Sequence, residues 1–509
     1  MNRRPLAALL LFAVLTVGAR GGQRINQEGR ILGPAPVVTA PTLFDTAAAD
    51  AIVSAMQILP LDNPWNEDVS HLLPLTNSGA MITQIKADLK SNRQTLQAFY
   101  EMNYVLVPDN QTNIPITFEL YGDESDPSPY PIPSSMPVEM WPVGTGNYTL
   151  QQWQQTDDGS DRHSIIVMPG AGYIWETWET LLVSGAWQAS NGAKFNLKSN
   201  ALRPDTWTSG DAAGLPMFPA LVRYDECQRG MVEHAVRLVV AKSRAQHLYP
   251  ATHNTNSVPA SSVNYPAMGQ RIRLQNGFNI PTNWTIYEKA VCLALKKYGG
   301  LVADNGGFFS FSVCPDDRFP SGAFSHLTSI DISNFEVVQS TGATGGPRSP
   351  GAPTAVAGKD QFIVLPTSSV SLQGAVTGTN PTIQWTAYSG PGVVTFGNAA
   401  LPSTTASFSA PGTYILMLSA ADTVHAVARD AVTVTVTLPV SLNRSGNDIF
   451  VSFPTITGHT YTVSRATDLV LANWATLGSS IAGTGSVAQV KDTNAIATAK
   501  AYYRVAVSP

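Results

Sequence analysis

Short runs in which apolar and polar residues alternate recur along most of this chain, the period-two pattern of strands with one face buried. They fall at residues 104–107, 114–121, 163–168, 173–177 and 181–184, and again at 231–242 and 270–274. The alternation is imperfect, as sheets partly covered on both faces require. One stretch keeps a different period. Across residues 285–298, TIYEKAVCLALKKY, Ile286, Tyr287, Ala290, Val291, Leu293, Ala294 and Tyr298 form one broad apolar stripe. Lys296 and Lys297 sit near its C-terminal end and Gly299-Gly300 follow, so the pattern predicts a helix that stops at the glycines. Shorter helical turns are expected within 45–60, 80–87 and 92–101. A strand, a turn at Asp304-Asn305-Gly306-Gly307 and a second strand are expected over 301–313.

The pattern changes character beyond residue 340. Residues 342–353, GATGGPRSPGAP, have the composition of a linker. From 355 to 438 the chain is rich in Val, Thr, Ser and Gly, with alternating runs broken by turns every eight to twelve residues or so. Residues 439–509 repeat the theme on a smaller scale. The chain of 509 residues exceeds one typical domain. The fold class expected is mainly β: a large jelly-roll-like β-sandwich with a few helices over 43–340, then two small β-sandwich modules. Residues 23–42, polar and then rich in Gly and Pro, read as a tether. Residues 1–22 have the layout of an export signal: Arg3 and Arg4, an apolar run from Leu6 to Val17, and small residues at Val17-Gly18-Ala19. That run is too short for a membrane span and none like it follows, so the expectation is a secreted, extracellular protein without membrane insertion.

Composition narrows the chemistry. A net charge of −5 leaves no basic stripe for nucleic acid. Cys227, Cys292 and Cys314 show no CxxC spacing and define neither a zinc knuckle nor a disulfide framework; a Cys292–Cys314 bridge and buried thiols both stay open. Charged residues make up 13% of the chain, roughly half the usual share. Against that background residues 196–240 stand out, gathering Arg203, Asp205, Trp207, Asp211, Arg223, Tyr224, Asp225, Glu226, Glu233, His234 and Arg237 around Gly214, Pro216 and Pro219. They read as a long loop that either delivers polar groups to a site or pairs its own charges over a scaffold, with a strand beginning near Met231.

No GxSxG elbow, phosphate-cradling loop, HExxH or dinucleotide fingerprint is present in a convincing context. His163, His234 and His253 lack metalloprotease spacing, and no metal site is assigned to them. Asp123-Glu124-Ser125-Asp126 crowds hard oxygen ligands into one turn, the chemistry of a structural calcium ion, without EF-hand spacing. No other cofactor is called for. Eight of the ten tryptophans fall before residue 341, among them Trp175, Trp178 and Trp207. Flat aromatic rings pack on the apolar faces of sugars, and glycoside hydrolysis needs two carboxyl groups flanking the scissile bond. The acids nominated are Asp211 with Asp225 or Glu226, and Asp304 as third choice, on the view that Asp225 and Glu226 point to opposite sides of a strand. Trp175, Trp178, Trp207, Tyr224, Arg223 and His234 are the nominated substrate contacts.

Three resemblances add to this reading. AGKDQFIVLPTSSVSLQGAV, IQWTAYSGPG and FSAPGTYILMLSAAD make residues 355–438 resemble a PKD or immunoglobulin-like module of exported bacterial enzymes. GHTYTVSRATDL, NWATLGSS and AYYRV are similar to a small β module that ends secreted proteins of Verrucomicrobia and their relatives. FELYGDESDPSPYPIP, SNALRPDTWTSGDAAGLPMFPALVRYDE, MGQRIRL and ALKKYGGLVADNGG make residues 59–338 resemble an uncharacterised family of exported soil-bacterial proteins. That last family implies relatedness and no particular chemistry, and the chain departs from it at Ser312-Val313-Cys314-Pro315-Asp316-Asp317-Arg318. The function expected is a secreted polysaccharide-active enzyme, a glycoside hydrolase acting on a plant or microbial cell-wall glycan. The alternatives are a non-catalytic polysaccharide-binding or cell-surface protein, and a lyase with Tyr224 or His234 as base and Arg223 neutralising a uronate.

Overall fold

The computed structural model describes residues 23–508 except 472 and 499; the expected export signal lies outside the described residues. The protein is mainly β and built from several sheets. One six-stranded sheet dominates the first domain. Its strands are β1 (Leu96–Tyr100), β2 (Val236–Val240), β3 (Arg271–Leu274), β4 (Gly300–Asn305), β5 (Phe309–Val313) and β6 (Phe335–Val337), in the spatial order β6-β3-β4-β2-β5-β1. β2 runs parallel to β4 and β1 parallel to β5, while β2–β5, β3–β4 and β3–β6 are antiparallel. A five-stranded sheet, whose longer strands are Ser164–Met168, Tyr173–Trp178 and Asn191–Asn196, and a three-stranded one complete the domain.

The period-two pattern assigns the two faces of the main sheet. Val236, Leu238 and Val240 alternate with Arg237 and Val239, and Phe309, Phe311 and Val313 alternate with Ser310 and Ser312. The apolar set joins the core of the domain, together with the helix that the 285–298 stripe predicts. That helix, Ile286–Lys297, starts at a capping box: Thr285 accepts from the Glu288 N–H at 3.1 Å and Glu288 accepts from the Thr285 N–H at 2.9 Å. It ends before Gly299, which takes φ +62°, a conformation only glycine adopts without strain. Fully buried Val291 and Leu295 each contribute about 1.5–3 kcal/mol through the area they remove from water.

Several expectations require correction. Tyr224, Asp225 and Glu226 lie on a six-residue helix, α1 (Tyr224–Arg229), and the strand expected from Met231 begins at Val236. Adjacent residues on a helix do not face opposite ways, so the opposite-faces argument for Asp225 and Glu226 fails. The tether expected at 23–42 is a packed segment: Ile25, Leu32 and Val38 are buried and Arg30 pairs with Glu233 at 2.8 Å. The Gly/Pro linker is ordered as well. The buried side chain of Arg348 reaches Glu67 at 3.1 Å and the Asp62 carbonyl at 2.6 Å. Cys227, Cys292 and Cys314 are all buried and unbonded, which removes the Cys292–Cys314 bridge.

The second domain packs a four-stranded and a three-stranded sheet around Trp385, Phe408, Tyr414, Leu416 and Leu418. The last module closes two three-stranded sheets over Val451, Phe453, Tyr461 and Val463. Among the described residues no helix is long and apolar enough to cross a membrane.

Candidate functional site

Arg237 projects from the polar face of β2, and its guanidinium organises the first of two charged clusters. Its Nε lies 3.1 and 3.2 Å from the two carboxylate oxygens of Asp211, and its Nη2 bonds Asp211 again. Nη1 donates to the Ser312 hydroxyl at 2.9 Å on neighbouring β5. Two further carboxyl groups flank the same guanidinium: Glu101 lies 3.5 Å from Nη1 and Asp304 lies 3.5 Å from Nη2. Asp304 owes its position to a bulge. The β2–β4 register slips between Leu238 and Val239, so that Val239 faces Asp304.

The two flanking acids differ from Asp211 in accessibility. Asp211 is 1% exposed, whereas the Glu101 and Asp304 side chains keep 22% and 29% of their surface. Burial pushes Glu101 up to about 7 despite Arg237. Burial also pushes Asp304 up, to about 6, with Asp211 adding to the rise and Arg237 opposing it. Both groups therefore change charge close to neutral pH. Along the same face, Phe99 sits opposite Ser312 in the β1–β5 register, and Gln97 opposite Ser310. The Phe99 and Phe308 rings meet edge to face at 5.1 Å, and the Arg93 guanidinium covers Phe308 at 4.0 Å. Phe99, Phe308 and Gln97 are all half-buried.

The loop that carries Asp211 is held by a buried ion pair. His163 Nδ1 lies 2.6 Å from Glu139 and its Nε2 lies 2.9 Å from the Gly210 carbonyl. Two acceptors suit an imidazolium that donates from both nitrogens. Burial pulls the His163 value down, but Glu139 more than offsets it and lifts it to about 10. Burial pushes Glu139 up, and the charge of His163 outweighs that to leave it lowered. Beside this pair, Glu176 accepts from the N–H groups of Met217 and Phe218, and burial still lifts it to about 7.

The second cluster gathers Arg223, Glu226, His234, Asp225 and Arg229. Glu226 accepts from Arg223 at 2.8 Å and sits 3.2 Å from His234 Nε2; Asp225 pairs with Arg229 at 2.7 Å. Burial raises Glu226, yet Arg223 and His234 hold it far below the usual carboxylate range. Burial and the neighbouring Glu226 raise Asp225. Tyr224 turns away into an aromatic cluster with Phe319 and Tyr287.

The nominated residues thus divide between two networks. Asp211 and Asp304 meet at Arg237, while Asp225 and Glu226 meet Arg223, Arg229 and His234, and no side chain bridges the two sets among the described residues. Asp211 paired with Asp225 or Glu226 is therefore not one constellation. Trp175 is 8% exposed within a core cluster that includes Tyr130 and Trp187. Trp178 leans on Tyr121, and Trp207 lies beneath Arg203. None of the three joins Arg237. The acidic turn is spoken for by the protein itself: Asp126 pairs with Arg203 and accepts from the Lys194 N–H at 2.7 Å, and Glu124 accepts from the Thr208 N–H at 2.8 Å. Among the described residues no group of three or more His, Cys, Asp or Glu could hold a metal ion. Glu101 is the member of the cluster that sequence reasoning misses. It follows β1 in an unremarkable FYEMN run, and nothing local marks it.

Residues 357–436 match a PKD-domain family model, and they form a PKD domain. The solved PKD domain of the KIAA 1837 protein is 27% identical, spans 19% of this chain and 98% of its own length, and gives a TM-score of 0.16. The PKD domain of human KIAA0319 is 24% identical, spans 21% and 100%, and gives 0.18. No curated protein matches the chain.

Proposed function

We propose that this is an exported glycan-active hydrolase whose working acids are Glu101 and Asp304, set on either side of Arg237. One observation carries the reading: two partly exposed carboxyl groups, both lifted toward neutrality, share one buried guanidinium on a half-open sheet face. Two oxygens that each lie 3.5 Å from neighbouring nitrogens of one guanidinium are at most about 9 Å apart, close enough to flank one glycosidic bond. Glu101, the weaker acid, still carries its proton in a large share of molecules at neutral pH and delivers it to the leaving glycosidic oxygen. Asp304, largely ionised there, takes a proton from the water that attacks the anomeric carbon. Asp211 holds Arg237, and Phe99 and Phe308 offer apolar faces to a sugar ring. That division of roles is the one inverting enzymes use.

A second reading has its own support. Asp211, Asp225 and Glu226 are tied to arginines and Trp175 is in the core, which suits a non-catalytic glycan-binding or cell-surface protein. Reducing-end release from a panel of glucans, xylans and uronans separates the two. Hydrolysis that is lost in Glu101→Gln and Asp304→Asn supports the first. Retention on insoluble glycan with no release in the parent supports the second. Products with ultraviolet absorbance mark elimination and overturn both.

A further inference from the structure

Residues 24–32 form a small hairpin wedged between the first domain and the PKD domain. Leu32 N–H donates to the Arg24 carbonyl at 2.8 Å, Asn26 N–H to the Arg30 carbonyl at 3.0 Å, and Asn26 Oδ1 accepts from the Arg30 N–H at 2.8 Å. Its two sides are chemically different. Toward the first domain the contacts are polar and charged: Asn26 donates to Glu233 at 2.7 Å, Arg30 pairs with Glu233 at 2.8 Å and donates to the Ser54 carbonyl at 2.7 Å, and Glu28 pairs with Lys297 at 2.7 Å. Toward the PKD domain they are mainly apolar. Ile25 is buried against Met417 and Ala431, with Ile31 and Ile415 at the margin, and Arg429 donates to the Gln27 carbonyl at 2.8 Å. Met417 alternates with the interior residues Leu416 and Leu418, so the hairpin covers what is otherwise the outer face of the PKD sheet.

A second joint lies in the linker, where the buried Arg348 side chain meets Glu67 and the Ser349 carbonyl lies 2.8 Å from His425 Nε2. Between the two joints a cleft of about 680 Å³ separates the domains, walled by Gln27, His71, Tyr298, Val424 and Arg429 among others. We infer that the hairpin is a latch. It fixes the PKD domain across this cleft, and on release it parts from the first domain along its charged side while Ile25 and Ile31 keep it on the PKD sheet. The PKD domain then swings on the linker and the cleft opens. Apolar burial survives loss of one ion pair, whereas Glu233 is the acceptor shared by Asn26 and Arg30 on the charged side.

The test uses the mature chain from Gln23 onward, with Arg30→Gln combined with Glu233→Gln, and separately Ile25→Asp. Limited proteolysis reads cutting within residues 342–353, and hydrogen exchange reads the hairpin, the 286–297 helix and the PKD strands. The latch requires cutting to accelerate about tenfold or more in both variants, because cleavage follows the population of the open form. It also requires the hairpin amides to stay protected in Arg30→Gln/Glu233→Gln and to lose protection in Ile25→Asp. Unchanged cutting in both variants overturns it, since the linker alone then holds the domain. Unprotected hairpin amides in the charge variant with the linker still resistant overturn it equally. The 286–297 helix guards against misfolding; should it lose protection, Arg429→Gln on the PKD side makes the same test without touching the first domain.

Discussion

Arg237 and Asp211 face each other with both carboxylate oxygens engaged and both side chains almost wholly out of water. Asp211 is the closest and most buried of the three acids that compensate Arg237, which makes the pair structural before it is anything else.

Asp211→Asn therefore strips Arg237 of its main partner and leaves the guanidinium facing only partly exposed acids. We expect a loss of about 3–5 kcal/mol in denaturant unfolding. Asp304→Asn, at a side chain that keeps 29% of its surface, should change stability far less and remove hydrolysis instead. Equal stability losses for the two would contradict this division of labour.

The pH dependence follows from the direction of each shift. Glu101 and Asp304 hold their protons more tightly in the folded chain than in the unfolded one, where the ordinary values are 4.5 and 3.8. The native state thus binds more protons between about pH 4 and 7, and their contribution to stability falls as pH rises through that window. His163 behaves in the same sense over a higher range. Its pairing with Glu139 stabilises fully below its ordinary 6.5 and is lost as pH rises through about 10. Unfolding midpoints measured from pH 4 to 10 should show both declines, and Glu101→Gln with Asp304→Asn should shrink only the first, leaving the share of Glu176, which burial also lifts to about 7.

Thr285→Ala removes one half of the capping box at the start of the 286–297 helix. A cost of about 1 kcal/mol is expected. Thr285→Ser, which restores the oxygen, should recover most of it; a full loss with serine would assign the effect to the lost methyl group.

Gly214→Ala probes the loop behind Asp211. Gly214 has φ +70°, and a side-chain carbon there runs into the Thr252 hydroxyl and the Trp207 carbonyl. We expect about 1–3 kcal/mol of destabilisation, with faster amide exchange at Asp211 to Leu215. No change in that loop would mean that the backbone yields without disturbing Arg237.

Different parts of this architecture are legible in the sequence to different degrees. The 286–297 helix can be read because its cap, its glycine stop and most of its stripe are local and mutually consistent, although Ile286 and Leu293 of that stripe face solvent. The PKD domain can be read because its turns recur at short spacing. The helix Tyr224–Arg229 cannot, since six residues are too few to establish a period. The clusters themselves depend on residues far apart in the chain: Asp211 meets Arg237 across 26 positions, and Ser312 meets Arg237 across 75. No pattern in either segment announces the other. The tryptophan count misleads for a simpler reason. A large ring buries so much area that the interior claims it first, and Trp175 and Trp187 sit there.

Three buried, unbonded thiols have a practical meaning for how the chain behaves in solution. Nothing holding this fold together is a sulfur–sulfur link, so a thiol reductant should leave its unfolding midpoint unchanged. Thiol reagents should find none of the three sulfurs in the native protein and all of them after denaturation. An oxidised environment becomes a hazard only to the opened chain, where Cys227, Cys292 and Cys314 are free to form links that the folded state never makes.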